Sequence, residues 1–254
     1  MPKIFKVGGC IRDKFIGVDS KDIDFTFVLD DTNKTVEDGF AIMTKWMKDR
    51  GFEIFLSTPD CFTIRAKFPK GDKNEGLVAD FVMARKETGY VEGTRRPILV
   101  LGTLDDDLIR RDFTINAMAE DEDGNLIDLF NGEKDLRAKI LKTPLDPMVT
   151  FMDDPLRILR ALRFAVTKGL FIDKPLWDAM EQNEILEKLY KTVSQERIRD
   201  EIFKMMKFDS VAAMIILMEA NGKIKEAVID GNDLSFIEIV FNNGLWLKPT
   251  FEKK

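Results

Sequence analysis

The 254-residue chain contains no histidine. That absence excludes Ser-His-Asp and Cys-His catalytic groups, His-ligated zinc and any imidazole general base. Acid–base and metal chemistry would fall to carboxylates, lysine, tyrosine or water. Cysteine is nearly absent: Cys10 and Cys61 are too few for a disulfide framework or a zinc cluster. No run of about eighteen apolar residues occurs, the length a membrane span needs. The first residues, Met1-Pro2-Lys3-Ile4-Phe5-Lys6, have no signal-peptide core. These features predict a cytoplasmic protein. A basic excess is missing as well: 39 Lys+Arg against 45 Asp+Glu give a net charge of -6. Residues 1–100 carry 17 basic and 16 acidic side chains, 101–150 carry 6 and 12, and 151–254 carry 16 and 17. A nucleic-acid partner would therefore need a local patch assembled by the fold, because no segment is basic overall.

With 44% apolar and 33% charged residues, the chain has the composition of a folded protein and the length for two compact units. Its two halves differ in texture. Asp22–Leu29 alternates with period two, setting Asp22, Asp24, Thr26 and Val28 on one face and Ile23, Phe25, Phe27 and Leu29 on the other, the pattern of a half-buried strand. Cys10–Ile16 is short enough for two helical turns, and Thr35–Arg50 reads as a helix. Phe52–Ser57, Cys61–Phe68 and Leu77–Ala84 read as strands. After Leu141 the strand signals stop. Asp153–Thr167, Lys174–Gln182, Gln195–Lys207 and Ser210–Ala220 all have helical period. Thr143-Pro144-Leu145-Asp146-Pro147 looks like the joint. The expected fold class is α+β, a mixed sheet-and-helix domain over 1–142 followed by an all-helical unit over 143–254.

The chemistry lies in the carboxylates. Asp22 and Asp24, two apart in a strand, leave the same face about 6–7 Å apart at the backbone. Ionised carboxylates that close repel unless a cation intervenes. Asp-x-Asp alone is more often an exposed strand end, but the strongly apolar opposite face makes the aspartate side look out over a cleft. Asp80, within Leu77-Val78-Ala79-Asp80-Phe81-Val82-Met83, would be costly if buried alone and should face the same site. Three aspartates on neighbouring strands are the donor set for two Mg²⁺ ions acting on a phosphate. Upstream, the Gly8-Gly9 pair lets backbone N–H groups approach an anion, with Arg12 adding a fork of donors. Such a pair alone is usually only a turn. Before an aspartate strand it reads as a triphosphate cradle.

These segments resemble, in order, the class II tRNA nucleotidyltransferases: the bacterial-type CCA-adding enzymes and their poly(A) polymerase relatives of the polymerase-β-like superfamily. Val7-Gly8-Gly9-Cys10-Ile11-Arg12-Asp13 through Lys21-Asp22-Ile23-Asp24-Phe25 resembles the first signature, and Asp80–Glu87 the strand bearing the third carboxylate. Glu87 to Pro97 resembles the flexible loop, with Gly89 and Gly93 as hinges. Arg110-Arg111-Asp112-Phe113-Thr114-Ile115-Asn116-Ala117 resembles the ribose-selecting motif, Asp153–Phe164 the base-templating helix, and Ser194-Gln195-Glu196-Arg197-Ile198 the neck motif.

The resemblance implies an enzyme that adds C, A or both to the 3′ end of tRNA from CTP and ATP, using two Mg²⁺ ions (Mn²⁺ as an alternative). Asp22, Asp24 and Asp80 would hold metal, with Asp80 activating the RNA 3′-OH. Gly8, Gly9 and Arg12 would bind the triphosphate. Arg111 and Asp112 would contact the nucleotide and its ribose, supported by Asn116. Asp154 and Arg157 would read the base. They stand at i and i+3, so on a helix they are neighbours on one face. An ionised aspartate only accepts hydrogen bonds and an arginine only donates them. That pair suits the amino group and ring nitrogen of C or A, and opposes U and G. Arg160 and Arg163 continue the series as phosphate contacts, and Asp153, where the family usually has Glu, should cap the helix.

An A-only enzyme or poly(A) polymerase, and a non-catalytic RNA- or nucleotide-binding module, are the alternatives. The full-length Arg85–Pro97 loop favours addition of A as well as C. By the same resemblance the chain ends short of the family's further body and tail domains and lacks a helix before the Gly-Gly strand. The expectation is weak, salt-sensitive tRNA binding. Ser235–Leu247, rich in Phe, Ile, Leu and Trp, is either a homodimer contact or packing within its own domain.

Overall fold

The structure, a computed structural model, describes residues 2–20, 22–30, 34–90 and 97–241. It divides into two compact units, residues 1–134 and 135–254. The first opens with β1 (Lys3–Val7), α1 (Gly9–Phe15), β2 (Asp24–Val28), α2 (Val36–Asp49), β3 (Glu53–Thr58), β4 (Thr63–Lys67) and β5 (Val78–Met83). It continues through β6 (Arg85–Tyr90), β7 (Pro97–Leu101), α3 (Leu104–Ile109), β8 (Met118–Glu120) and β9 (Leu126–Asp128). The unit boundary falls within α4 (Gly132–Arg137).

Seven strands form one mixed sheet in the order β3-β4-β5-β2-β1-β8-β9. Only β2 and β5 run parallel, and their register sets Asp24 beside Asp80. The period-two pattern of β2 decides which residues face which layer. Phe25, Phe27 and Leu29 join Ile64, Ala66, Phe81 and Met83 under Phe40, Met43 and Met47 of α2. Burying one such aromatic or aliphatic side chain contributes about 1.5–3 kcal/mol. On the opposite face Val7, Val28 and Ala119 pack with Leu104 and Leu108 of α3. The Thr35 hydroxyl accepts from Asp38 N at the start of α2, and Asp38 reciprocates to the Thr35 N–H, so the helix begins where its first orphan donors find partners.

The segment read as a flexible loop is partly sheet. β6 and β7 form an antiparallel ribbon with an irregularity between Glu87 and Gly89. Gly93 lies outside the described residues.

The second unit comprises β10 (Ile140–Leu141), α5 (Pro147–Asp153), α6 (Arg157–Lys168), β11 (Phe171–Ile172), α7 (Lys174–Met180) and α8 (Asn183–Thr192). It ends with α9 (Gln195–Phe208), α10 (Ser210–Lys223), β12 (Ala227–Ile229), β13 (Asn232–Leu234) and α11 (Phe236–Phe241). It is helical but not purely so. β10 pairs in parallel with β11, and β12 with β13, through stretches too short to register as alternation. No helix among the described residues is long and apolar enough to cross a membrane.

Candidate active site

The aspartate strand starts two residues later than its alternation suggests. β2 begins at Asp24, so Asp22 lies before the strand and is exposed. Thr26 does not look over a cleft either. It is 0% exposed, and its hydroxyl donates to the Asp107 carboxylate at 2.8 Å. Asp24 and Asp80 are the pair that the fold brings together, as register partners on one face of adjacent strands. Arg65 of β4 is the next residue in that row, and its guanidinium donates to Asp80 at 2.9 Å.

The expected convergence of three carboxylates is thus corrected to two. Among the described residues no three acidic or thiol side chains lie close enough to enclose a metal ion. The local electrostatics nevertheless suit a cation. Burial pushes the Asp24 carboxyl above its usual range, and the charges of Asp80 and Asp22 push it further, against the opposing pull of Arg111 and Arg65. A hard divalent ion relieves that repulsion, and carboxylate oxygens are its preferred donors.

β1 delivers the chain to the Gly8-Gly9 turn at the Asp24 end of the sheet, since Val7 pairs with Asp24. Gly8 has φ +79, a conformation that side chains resist, and a Cβ there would lie 2.7 Å from Arg111 Nη1. A Cβ on Gly9 would lie 3.3 Å from Arg12 Nη2. The bare turn is therefore backed by two guanidinium groups.

Arg12 is not the free fork the sequence suggests. It is buried, donating to Asp13 through Nε at 3.0 Å and Nη2 at 2.8 Å, and to Asn116 Oδ1 at 2.5 Å. The Asn116 amide donates to Asp112 at 2.9 Å, and the same Asp112 oxygen accepts the Phe113 N–H at 2.8 Å. Asp13, Arg12, Asn116 and Asp112 form one buried polar chain that ties α1 to the Arg110–Ala117 segment. Such a chain holds its geometry rigidly when every member is satisfied.

Sequence reasoning missed Asp107. This buried residue of α3 accepts from Arg111 at 2.8 Å and 3.3 Å as well as from Thr26. Burial opposes its charge, yet Arg111, Arg110 and the Thr26 hydroxyl hold its carboxyl below the usual range. The signal available was the i,i+4 spacing of Asp107 and Arg111, hidden in an acidic run that reads as a solvated helix start.

The residues implied to read the base stand on the second unit, and the single helix expected over Asp153–Thr167 is broken there. Asp153 ends α5 rather than capping α6. Asp154 is extended, with φ -139 and ψ 100, and Arg157 opens α6. Pro155 lacks the N–H a continuous helix would need and disfavours helical geometry at Asp154. Asp154 and Arg157 are therefore not i,i+3 neighbours on one helix face. The Asp154 carboxylate accepts from Arg197 of α9 at 2.7 Å and from the Leu156 N–H at 3.2 Å. Arg157 pairs with Asp153 at 2.8 Å and donates to the Thr150 carbonyl at 3.0 Å. Arg160 and Arg163 turn inward to Glu201, at 4.0 Å and 2.5 Å. Burial opposes ionisation of Glu201, but Arg163, Arg160 and Lys204 hold it charged.

Residues 4–142 match the family described as the poly A polymerase head domain. The chain belongs to that family. It is 34% identical over 203 residues to a CCA-adding enzyme of Bacillus pumilus, covering 79% of this chain and 45% of the relative. It is 33% identical over 211 residues to a tRNA nucleotidyltransferase of Schizosaccharomyces pombe, covering 79% and 42%. The crystal structure of a Bacillus stearothermophilus CCA-adding enzyme in complex with CTP is similar, with a TM-score of 0.67 and 26% identity over 88% of this chain and 50% of that one. A tRNA nucleotidyltransferase complexed with a primer tRNA and an incoming ATP analogue gives a TM-score of 0.64 at 30% identity, over 88% and 57%. This poly A polymerase head-domain protein spans half or less of the length of these curated relatives. Its mixed sheet with flanking helices and the helical unit that follows agree with the expected α+β class.

Proposed function

We propose that the chain is a template-independent RNA nucleotidyltransferase that adds C, A or both to the 3′ end of tRNA from CTP and ATP. The observation that carries this reading is the register of Asp24 with Asp80 beside a side-chain-free Gly8-Gly9 turn backed by Arg111 and Arg12. In the reaction the RNA 3′-oxygen attacks the α-phosphorus, the bond to the bridging oxygen breaks, and pyrophosphate leaves. Asp24 and Asp80 would hold the divalent metal, Mg²⁺ or Mn²⁺, which would supply Lewis-acid stabilisation of charge on the phosphate oxygens. The chain's own part is positioning. The Gly8-Gly9 turn admits the triphosphate against backbone, Arg111 would bring positive charge to it, and Arg12, paired with Asp13, braces the turn from behind. The Asp112–Asn116 pair fixes the segment that would meet the ribose. Asp154, on the second unit, would be the acceptor that the amino group of C or A satisfies and the carbonyl edge of U or G does not.

The test is extension of three tRNA acceptors, lacking A, CA or CCA, with each nucleoside triphosphate supplied separately. Incorporation of C then A is the expected result. Incorporation of A alone on every acceptor gives the A-only or poly(A) enzyme, and no incorporation of any nucleotide overturns the reading.

A further inference from the structure

The face of the sheet that carries Asp24 and Asp80 continues past them to the β3 edge. Along β4 and β5 the residues alternate: Ile64, Ala66, Phe81 and Met83 are buried in the core under α2, so Arg65, Lys67 and Asp80 point the other way. Register makes one row across the strands, from Asp24 on β2 through Asp80 on β5 and Arg65 on β4 to Leu56 on β3. β3 is the edge strand, and its irregularity between Ile54 and Leu56 leaves Phe55 as an extra residue. Phe55 stands on the aspartate face, since the Lys67 ammonium lies 5.9 Å from its ring centre. The face is open there: Phe55 and Leu56 are 52% and 58% exposed, and the Arg65 side chain 47%. An exposed aromatic ring beside cationic side chains is the composition of a single-stranded nucleic-acid platform, where bases stack and phosphates are neutralised.

We propose that this edge of the sheet holds the unpaired 3′ end of the RNA. Arg65 takes its last phosphodiester, Lys67, about 6–7 Å further along β4, the preceding one, and Phe55 stacks on a base. Given the nucleotidyl transfer proposed above, on which this assignment rests, in-line displacement fixes the direction of approach. Attacking and leaving oxygens stand on opposite sides of the phosphorus. The Gly8-Gly9 turn draws the pyrophosphate end toward β1, so the RNA 3′-oxygen comes from the β5 side. Beyond Asp80 the RNA then meets Arg65 one strand out, about 4.8 Å away, and β3 at about twice that distance. Arg65 Nη1 donates to Asp80 at 2.9 Å, and among the described residues the rest of its guanidinium has no partner. One arm keeps the carboxylate oriented while the other takes the phosphate, the fork geometry in which arginine excels. Lys67 pairs with Glu53, but an exposed pair of that kind stabilises little, so the lysine can exchange it for a phosphate. Stacking and phosphate contact are both blind to sequence, which suits tRNA ends that differ in their last bases.

Fluorescence anisotropy with a 5′-labelled single-stranded RNA, without nucleotide or metal, reads binding apart from catalysis. Arg65→Gln should weaken binding about tenfold and flatten the slope of log affinity against log salt by about 0.7, the share of one phosphate in a single strand. Phe55→Ser should weaken it about tenfold with the slope unchanged, because stacking releases no counterion. Glu53→Gln should tighten binding and steepen the slope, since Lys67 is then free for phosphate. All three sites are exposed, and circular dichroism checks that each variant keeps the fold. In extension assays Phe55→Ser should raise the KM for the tRNA acceptor and leave the KM for CTP and ATP as it was. Arg65→Gln and Phe55→Ser chains that bind RNA like the wild type, while acceptors are still extended, overturn the platform and spare the transferase reading. Weakened binding in both variants of a chain that extends no acceptor overturns that reading and spares the platform. A wild-type chain to which the RNA does not bind overturns the platform.

Discussion

Asp107 grips Arg111 through two guanidinium nitrogens, at 2.8 Å and 3.3 Å, while its carboxylate also takes the hydroxyl of Thr26. Thr26 is two residues along β2 from Asp24, and Arg111 Nη1 lies where a Gly8 side chain would begin. One buried carboxylate thus joins the aspartate strand to the glycine turn. Asp107→Asn keeps the shape but removes the charge, leaving Arg111 without its anionic partner. The expected outcome is a loss of about 2 kcal/mol in stability, read from the urea midpoint. The KM for the nucleotide should rise more than kcat falls, because Arg111 drifts from the turn. Unchanged kinetics in a folded variant would remove Arg111 from nucleotide binding.

Asp24 tests the chemistry itself. Burial and the neighbouring charges of Asp80 and Asp22 make its ionised form unfavourable, so the fold gains nothing from the charge. Asp24→Asn should abolish nucleotide incorporation while the melting temperature stays level or rises. Full turnover in Asp24→Asn would sink the carboxylate mechanism. A large drop in melting temperature would mean that Asp24 serves the fold.

Base choice should follow Asp154, and through it Arg197. Asp154→Ala removes the acceptor that rejects the carbonyl edges of U and G, so misincorporation of UMP and GMP should rise by at least tenfold relative to CMP and AMP. Arg197→Met removes the charged partner of Asp154 and leaves its carboxylate the Leu156 N–H. That change should raise the KM for CTP and ATP and broaden selectivity less than Asp154→Ala does. Competition assays with all four nucleotides and a fixed tRNA acceptor measure both. Selectivity unchanged in Asp154→Ala would place base discrimination elsewhere.

The parts legible in the sequence were those set by local rules. Alternation showed which face of β2 carries Asp24 and which carries Phe25 and Phe27, and the helical reading of Thr35–Arg50 placed α2 to within a residue at each end. What was hidden depended on partners distant in sequence. The Arg12–Asn116 bond spans 104 residues, and nothing near Arg12 distinguishes a buried structural arginine from a free phosphate fork. Arg163 and Glu201, 38 residues apart, pose the same problem. The break at Pro155 was legible in principle. Helical spacing on both sides of it masked a proline that ends one helix and lets another begin.

The acid limb of stability should report Glu201, a buried carboxylate of the second unit. Glu201 is 3% exposed and is held below its ordinary value of 4.5, with burial overcome by Arg163, Arg160 and Lys204. A depressed carboxyl binds fewer protons folded than unfolded. Its contribution is therefore full above about pH 4.5 and is lost as pH falls through the folded value. Asp107 acts in the same sense below its ordinary 3.8. Glu201→Gln leaves Arg163 and Arg160 without their shared anion, so it should cost about 3 kcal/mol at neutral pH. That deficit should shrink as pH falls below 4.5, because the wild type then loses what the variant never had. Denaturant midpoints of both chains across that range give the two slopes. Parallel curves would mean that Glu201 takes up protons equally in the folded and unfolded chains, so that its charge contributes nothing to the fold.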